Sequence, residues 1–265
     1  MPTVQELYEL WAGDSELGDA LNRSLEPRGL DFLFDKFATL GPRTGELVVD
    51  VGARDARHTV RLVREHGLRA VALDPVPLHT KLARQAVAEA GLDGEIEVVE
   101  GTIESLPFTD ASVDWIWCRD VLVHVDIRRG LTECARVLRP GGALIAYVTL
   151  ATEQLEPRER AELVDAAAIA SFDAADTEAA ADAAGFALRS VDRLGSEWRE
   201  RMIEDKTWDP AQDLLQIARL RRRRSELCNR YGEAAVEAAA GGLLWGIYQL
   251  LGKLCPTIYI WERRA

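Results

Sequence analysis

The stretch ELVVDVGARDA (residues 46–56) joins a short apolar run to a turn and predicts the first strand of an α/β sheet. The run 46–52 is almost continuous in Leu and Val, which is typical of a strand covered on both faces. Gly52 follows immediately, and a glycine at such a strand end lets backbone approach a ligand. Taken alone, the turn is equally compatible with an ordinary strand-to-helix connection in which an Asp caps the helix.

Apolar runs and helical periodicity alternate on the C-terminal side of this stretch. The alternation predicts parallel strands joined by crossover helices, that is, an α/β fold with a mostly parallel, Rossmann-like sheet. Further strands are expected at 68–74, 95–101, 113–118, 142–150, 186–194 and 257–262. Helices are expected at 59–66, 78–90, 128–138, 157–184, 211–231 and 233–254. The segment LRPGG (138–142) predicts a helix stop followed by a turn.

The chain is interpreted as one domain with two additions. Residues 46–194 and 257–265 would form the sheet core, and residues 1–45 an N-terminal helical cap broken at Gly13, at Gly18 and at residues 27–29. Residues 195–256 would form a helical lid inserted between the last two strands. A segment of this length between two strands is more often functional than idle.

Composition limits the classes of partner. The 265 residues carry a net charge of −12, which disfavours nucleic acid, and the run Arg221–Arg224 is interpreted as a solvated helix face. The four cysteines show no CxxC spacing, so neither a zinc site nor a redox dithiol is indicated and no metal is expected. Without a secretion signal or a membrane-length apolar run, we expect a cytoplasmic protein with reduced thiols.

Three successive strand ends carry groups that suit a nucleoside ligand. Asp50 offers a carboxylate to positive charge, and Asp74, 24 residues later, stands near the offset at which an acid meets two ribose hydroxyls. After the third strand, Thr102 and Glu104 could read an adenine edge while Ile103 packs on its face. The fingerprint GxGxxG is absent, which counts against a dinucleotide.

These residues lie in a longer pattern that resembles the class I S-adenosylmethionine-dependent methyltransferases of the small-molecule branch. The resembling segments are VVDVGARD (48–55), ALDP (72–75), VEGTIESLPFTDASVDWIWCRDVLVHVD (99–126) and ECARVLRPGGALIAY (133–147). The resemblance implies a seven-stranded sheet with an antiparallel last strand, and S-adenosyl-L-methionine as cofactor. It departs from the family at Arg54 and Ala56, where the motif has glycines, and at Thr102, where it has an acid.

The resemblance also implies which residues contact each part of the cofactor. Asp50, Gly52 and Ala53 would meet the methionine part, and the backbone around Arg119 the amino acid end. Asp74 with Pro75 would meet the ribose. Thr102, Ile103 and Glu104 would surround the adenine.

Candidates for chemistry outside the cofactor site are few. His124 follows the fourth strand, where a general base could take a proton from an acceptor, although a packing role is equally compatible. His58, His66 and His79 fall on or near helices and are assigned no chemistry. In the insertion, Trp198, Trp245 and Tyr248 are candidates for an acceptor pocket, with a core role as the alternative.

The expected function is methyl transfer from S-adenosylmethionine to an O, N or C nucleophile of a small-molecule metabolite. Two alternatives remain open: a non-catalytic S-adenosylmethionine-binding or scaffold protein, and a nucleotide-dependent oxidoreductase, which the missing GxGxxG disfavours. The expected partner is a small-molecule acceptor, without nucleic acid or membrane, and a homodimer is allowed.

Overall fold

The computed structural model describes residues 2–12 and 16–264. The strands are β1 (Leu47–Val51), β2 (Arg69–Asp74), β3 (Ile96–Glu100), β4 (Val113–Arg119), β5 (Leu138–Ala151), β6 (Phe186–Arg193) and β7 (Leu254–Arg263). The helices before β5 are α1 (Val4–Ala12), α2 (Glu16–Asn22), α3 (Asp31–Ala38), α4 (Arg57–His66), α5 (Pro77–Ala90) and α6 (Ile127–Val137). Those after β5 are α7 (Pro157–Ala167), α8 (Ala174–Ala183), α9 (Glu197–Glu204), α10 (Pro210–Arg222), α11 (Arg224–Tyr231) and α12 (Glu233–Leu250).

The strands form one sheet of seven in the order β3-β2-β1-β4-β5-β7-β6. Strands β1 to β5 pair in parallel, whereas β7 lies antiparallel between β5 and β6. This confirms the Rossmann-like sheet with an antiparallel last strand. The strand order reverses between β1 and β4, and at such a reversal the carboxyl ends of the strands leave a crevice for ligands.

Both faces of the sheet are covered, as the apolar strand sequences require. Val49 and Val51 face the core on one side, where α6, α8 and α12 pack. Val48 and Trp117 face the other side, where α3 packs together with α4 and α5. Because alternate residues of β1 are buried in opposite cores, its main chain is fixed between two layers and its carboxyl end is held rigidly.

The structure corrects three local predictions. The helix before residue 138 does end there, but the turn predicted at 138–142 is wrong, because β5 begins at Leu138 and carries an irregularity instead. The predicted helix 157–184 is two helices, α7 and α8, separated by Ala168 in the left-handed region (φ 49°). The predicted helix 211–231 is likewise divided, into α10 and α11, at Arg223.

The helical insertion and the N-terminal cap also differ in detail from the prediction. Strand β7 begins at Leu254, so the insertion ends at Lys253, three residues before its predicted end at Pro256. Gly18 lies inside α2 and does not break the helix, whereas the predicted break at Gly13 lies outside the described residues. No helix in the described ranges is both long enough and apolar enough to cross a membrane.

Candidate active site

A cleft of about 950 Å³ opens at the carboxyl ends of β1, β2 and β4. It is lined by every side chain and glycine that the sequence assigned to the cofactor, together with the candidate base. These residues are Asp50, Gly52, Ala53, Asp74, Pro75, Thr102, Ile103, Glu104, Arg119 and His124. The cleft therefore brings together groups that are up to 74 positions apart in the sequence.

Gly52 is required by two separate features of the loop after β1. Its φ of +72° lies in the left-handed region, and a Cβ at this position would lie 2.3 Å from Cγ2 of Val121. The backbone N–H groups of Gly52 and Ala53 both donate to the carbonyl of Leu73, at 2.8 and 3.1 Å. These contacts fix the loop against β2 at the floor of the cleft.

In the same loop, two residues other than glycine adopt the left-handed backbone conformation that glycine favours. Arg54 (φ 50°) and Ala56 (φ 56°) occupy the left-handed region, at a cost of roughly 1 kcal/mol each. They are the two positions at which the resembling family has glycine. Departure from the glycine pattern has therefore left the main-chain conformation of the loop in place, which argues against decay of the site.

Asp50 supplies a buried carboxylate beneath this loop. Its side chain is 3% exposed, and the hydroxyl of Thr59 donates to Oδ2 at 2.6 Å. The pKa of Asp50 is raised to about 7, chiefly by burial and also by the charge of Asp74, while Thr59 and Arg119 act in the opposite direction. A buried carboxylate without a contacting cation suits a ligand that brings positive charge into the cleft.

Asp74 ends β2 with its acceptor sites largely occupied. Oδ2 accepts from the N–H of Arg54 at 2.9 Å, and Oδ1 accepts from the N–H of Val76 at 2.9 Å and lies 3.0 Å from Nδ1 of His79. A carboxylate has about four acceptor sites, so one readily available site remains, on Oδ2. Acceptance of two ribose hydroxyls, as the sequence suggested, would require His79 to give up its contact.

The region after β3 provides an apolar wall beside polar groups. Ile103 is 2% exposed, whereas the side chain of Thr102 is exposed at the rim. Oε1 of Glu104 accepts from the N–H of Asp126 at 3.0 Å. Glu104 thereby ties the β3 end to the start of α6, and the exposed Thr102 hydroxyl is the freer polar group of the pair.

The end of β4 supplies Arg119, Asp120 and His124. Oδ1 of Asp120 accepts from the N–H of Thr149 at 2.9 Å, and burial raises the pKa of Asp120. His124 is exposed, and its Nδ1 lies 3.3 Å from the carbonyl oxygen of Ala168. Since a carbonyl can only accept, Nδ1 carries the proton in this contact and Nε2 of the neutral ring is the acceptor.

Two histidines that the sequence left without a role line the cleft. His79 contacts Asp74, as described above. His58 packs its ring edge-to-face against Phe34 and Trp117, and burial lowers its pKa to about 4. The i, i+5 spacing from Asp74, across a Pro-initiated helix, was the available signal for His79; His58 gave none, because its neighbours come from α3 and β4.

The three acceptor candidates of the insertion do not line the cleft. Trp198 is 4% exposed and stacks on Tyr147 with ring centroids 4.7 Å apart. Tyr248 is buried in the core beneath α12, and Trp245 packs against the same core. Their packing is that of core residues, and a role in acceptor binding is not supported by where they lie.

Comparison with known proteins identifies the part of the chain that builds the cleft. Residues 49–146 match the family described as a methyltransferase domain, and this range runs from β1 to β5. It therefore contains every strand end that borders the cleft. These residues form a methyltransferase domain, and the relatives and solved structures support a class I methyltransferase.

Relatives of this class I methyltransferase match it over the same core. An uncharacterised methyltransferase of Mycobacterium tuberculosis is 36% identical over 121 residues, 46% of this chain and 44% of the relative. The sarcosine/dimethylglycine N-methyltransferase of Halorhodospira halochloris is 31% identical over 143 residues, 51% of this chain and 50% of the relative. The chain thus aligns with about half the length of these relatives.

Among solved structures, the [4+2]-cyclase SpnF superposes with a TM-score of 0.68 at 20% identity, over 89% of this chain and 81% of that one. This likeness extends the agreement in fold beyond the residues that match the family. Because a protein named as a cyclase shares the fold of this class I methyltransferase, the fold by itself does not specify the reaction.

Proposed function

We propose that the protein binds S-adenosyl-L-methionine in the cleft and transfers its methyl group to a nucleophile of a small-molecule acceptor. The observation that carries the proposal is the meeting of three strand-end groups in one cleft: Asp50, Asp74 and the segment 102–104. Their order matches the order of charge, hydroxyls and ring along this cofactor. Curated relatives named as N-methyltransferases of sarcosine and dimethylglycine support methyl transfer to a small molecule.

The residues present fit this cofactor by their chemistry. The buried Asp50 carboxylate would face the positively charged amino acid part, with Gly52 and Ala53 offering main chain and Arg119 the only cation assigned to that end. Asp74 and Pro75 would contact the ribose, and Ile103 would cover the ring while Thr102 and Glu104 border it. When bound, S-adenosylmethionine supplies a methyl group activated by its positively charged sulfur.

The protein's own contribution to the reaction is alignment and, where the acceptor carries a proton, its removal. The Nδ1–H···O contact of His124 with Ala168 orients the ring and leaves Nε2 able to accept a proton. Asp126 does not compete for this ring, because its carboxylate accepts from the N–H groups of Arg128 and Arg129 at the start of α6. His124 is therefore positioned for the role of general base.

The proposal includes the roles that the sequence predicts for the sheet core and for its two additions. Residues 46–194 and 257–265 would hold the cofactor, while the N-terminal cap 1–45 and the insertion 195–256 would close over the acceptor and exclude water. It also includes the cytoplasmic location, the absence of nucleic acid and membrane partners, and the allowance for a homodimer.

The alternative of a non-catalytic binding protein would be favoured if Arg54 and Thr102 marked decay of the site. At Arg54 the backbone keeps the left-handed conformation, which removes that half of its support. Formation of S-adenosylhomocysteine with any member of a panel of amines, carboxylic acids and phenols would establish turnover.

The test of cofactor binding is calorimetry with S-adenosylhomocysteine and with NAD. We expect the first to bind and the second not to. Asp74→Asn keeps the shape of the side chain but weakens it as an acceptor, and it should raise the Kd for S-adenosylhomocysteine by about tenfold or more. Asp93→Asn, an equal charge change at an exposed turn residue, is the matched control and should leave the Kd unchanged. Binding of NAD in place of S-adenosylhomocysteine would overturn the proposal.

A further inference from the structure

A half-buried arginine on α9 has no carboxylate in contact with it. Arg199 donates from Nε to Oε1 of Gln249 at 2.6 Å, and one terminal nitrogen lies 3.8 Å from the sulfur of Met202. Its guanidinium also packs over the ring of Trp208, 4.9 Å from the centroid. Among residues 2–12 and 16–264, no acidic oxygen lies within ion-pair distance of Arg199.

The surroundings hold this guanidinium in one orientation. Gln249 is 3% exposed and donates from Nε2 to the buried hydroxyl of Thr149 at 3.2 Å, and the N–H of Thr149 donates to Asp120. A buried amide that is bonded at both its oxygen and its nitrogen restricts the rotamer of the group it bonds. Gly246 of α12 contributes by being small, since a Cβ there would lie 3.3 Å from Cζ of Arg199.

The guanidinium is only partly compensated electrostatically. Burial lowers the pKa of Arg199, while Asp213 and Asp120 act on it from a distance and raise it. Within the described ranges neither carboxylate forms an ion pair with Arg199: Asp213 accepts from Nε1 of Trp208 at 2.7 Å, and Asp120 accepts from the N–H of Thr149. A desolvated cation without a contacting anion gains free energy when a ligand supplies one.

Arg199 lies close to the β4 end of the cleft without lining it, since the charges of Asp120 and Arg119, which do line the cleft, act on its pKa. The preceding residue, Trp198, stacks on Tyr147, whose ring also lies 5.7 Å from the guanidinium carbon of Arg119. Arg119 lines the cleft, while Arg199 does not. A ligand bound along β1 and β2 therefore has Arg119, and not Arg199, among the residues that border it.

We propose that Arg199 binds an anionic oxygen group, a carboxylate or a phosphate, of the methyl acceptor. This inference rests on the proposed function, since it names the class of acceptor that the same site would take. The terminal N–H groups of the guanidinium would donate to the anion, while Nε stays bonded to Gln249. Acceptors in which the anion is esterified or missing would leave Arg199 without its partner and should bind weakly.

The experiment titrates the full-length protein with sodium acetate and with inorganic phosphate at constant ionic strength, using chloride as the inert anion. The readout is tryptophan fluorescence, because Trp198 and Trp208 lie beside Arg199. Titrations are carried out with saturating S-adenosylhomocysteine and repeated without it, so that failure of cofactor binding does not remove this test. We expect a saturable signal with at least one anion, and the tighter one identifies the acceptor group as carboxylate or phosphate.

The variant Arg199→Gln should raise the Kd for that anion by about tenfold or more. Arg199→Lys keeps the charge but loses the planar fork, and should give a smaller loss. The control is Arg201→Gln, which removes one positive charge from the same helix at an exposed residue bonded to Asp205. It should bind the anion as the unaltered protein does.

Three outcomes would overturn the inference. One is the lack of a saturable response to either anion in the unaltered protein, a measurement that does not depend on any variant folding. The second is an unchanged Kd in Arg199→Gln, and the third is an equal loss in Arg201→Gln, which would indicate a general charge effect. Binding of S-adenosylhomocysteine together with any of these would leave the proposed function standing while removing Arg199 from it.

Discussion

The two sides of the cleft are held in place by different kinds of interaction. The cofactor side, made of the loops after β1, β2 and β3, depends on main chain: a positive φ at Gly52, N–H groups donated to Leu73 and to Asp74. The proposed acceptor side, made of the end of β4 and the residues of β5, α9 and α12 that are bonded to it in succession, depends on side chains that bond across long distances in sequence, such as Arg199 with Gln249. The first kind of site tolerates side-chain change, whereas the second is sensitive to it.

The largest effect should come from adding one carbon to the cofactor side. Gly52→Ala would combine a strained φ with a contact of 2.3 Å to Val121, and we expect it to lower the free energy of unfolding by about 2–4 kcal/mol. S-adenosylhomocysteine should bind at least about tenfold more weakly. Urea denaturation and calorimetry measure the two quantities.

Gly41→Ala separates strain from collision, because Gly41 has φ +71° and open space around it. It should cost only about 1 kcal/mol and leave ligand binding unchanged. Equal costs for the two alanine variants would mean that Val121 yields readily, and that the loop is less rigid than its contacts indicate.

A change on the acceptor side should show the opposite pattern. Gln249→Met fills similar volume but leaves the Nε–H of Arg199 without its acceptor and removes one hydrogen bond to the hydroxyl of Thr149. The expected loss of unfolding free energy is about 1–3 kcal/mol, with the Kd for S-adenosylhomocysteine unchanged within about twofold. A loss of cofactor affinity as large as that in Gly52→Ala would contradict the separation of the two sides.

The pH dependence of ligand binding tests the charge of the cofactor side. Since the pKa of Asp50 is raised to about 7 in the free protein, its carboxyl is protonated at pH 6 and must lose that proton to face a positively charged ligand. Affinity for S-adenosylhomocysteine should therefore rise about tenfold from pH 6 to pH 8. Calorimetry in buffers of different ionisation enthalpy should detect close to one proton released at pH 6.

The variant Asp50→Asn should remove both the slope and the proton release. His58 does not interfere, because its pKa of about 4 keeps it neutral over this range. The raised pKa of Asp50 also makes the stability of the ligand-free protein depend on pH. A carboxyl whose folded pKa lies above its unfolded value stabilises the fold at low pH, and this contribution is lost as pH rises from about 4 to about 7. An undiminished slope in Asp50→Asn would assign the ionisation to another group, such as Asp120.

The smallest effect should come from removing a whole side chain at Arg54. Arg54→Gly relieves the left-handed strain but adds freedom to the unfolded chain, and these terms nearly cancel. We expect a change in unfolding free energy below about 1 kcal/mol and a Kd for S-adenosylhomocysteine within about threefold of the unaltered protein. A large loss of affinity would show that the side chain of Arg54, and not its backbone, serves the ligand.

The contrast between the two sides also explains what could be predicted from sequence. Asp50 and Asp74 lie at the carboxyl ends of their strands and Gly52 directly after β1, so a local pattern of apolar run, turn and acid places them at one edge of the sheet. Arg199 and Gln249 are 50 positions apart, and Gln249 and Thr149 are 100 apart. Their meeting depends on how α9 and α12 pack over β5, which residue spacing does not encode.

The aromatic residues of the insertion show the limit of reasoning from residue type. From the sequence alone, Trp198 could line a pocket or pack in the core. Its stacking on Tyr147 assigns it to the core. Arg199, the next residue, is the more specific indicator of a ligand site, because a buried charge needs a partner whereas a buried ring does not.

The position of the helical insertion in the sheet has an evolutionary consequence. The chain leaves β6 at Arg193 and returns at Leu254, and Arg193 pairs directly with Thr257 of the neighbouring antiparallel strand. The insertion is therefore an enlarged hairpin loop whose two ends are fixed side by side. Since the entropy of closing a loop grows only with the logarithm of its length, this excursion can be lengthened, shortened or exchanged at small thermodynamic cost. A lineage could thus acquire new acceptors by replacing one loop while inheriting its cofactor chemistry intact.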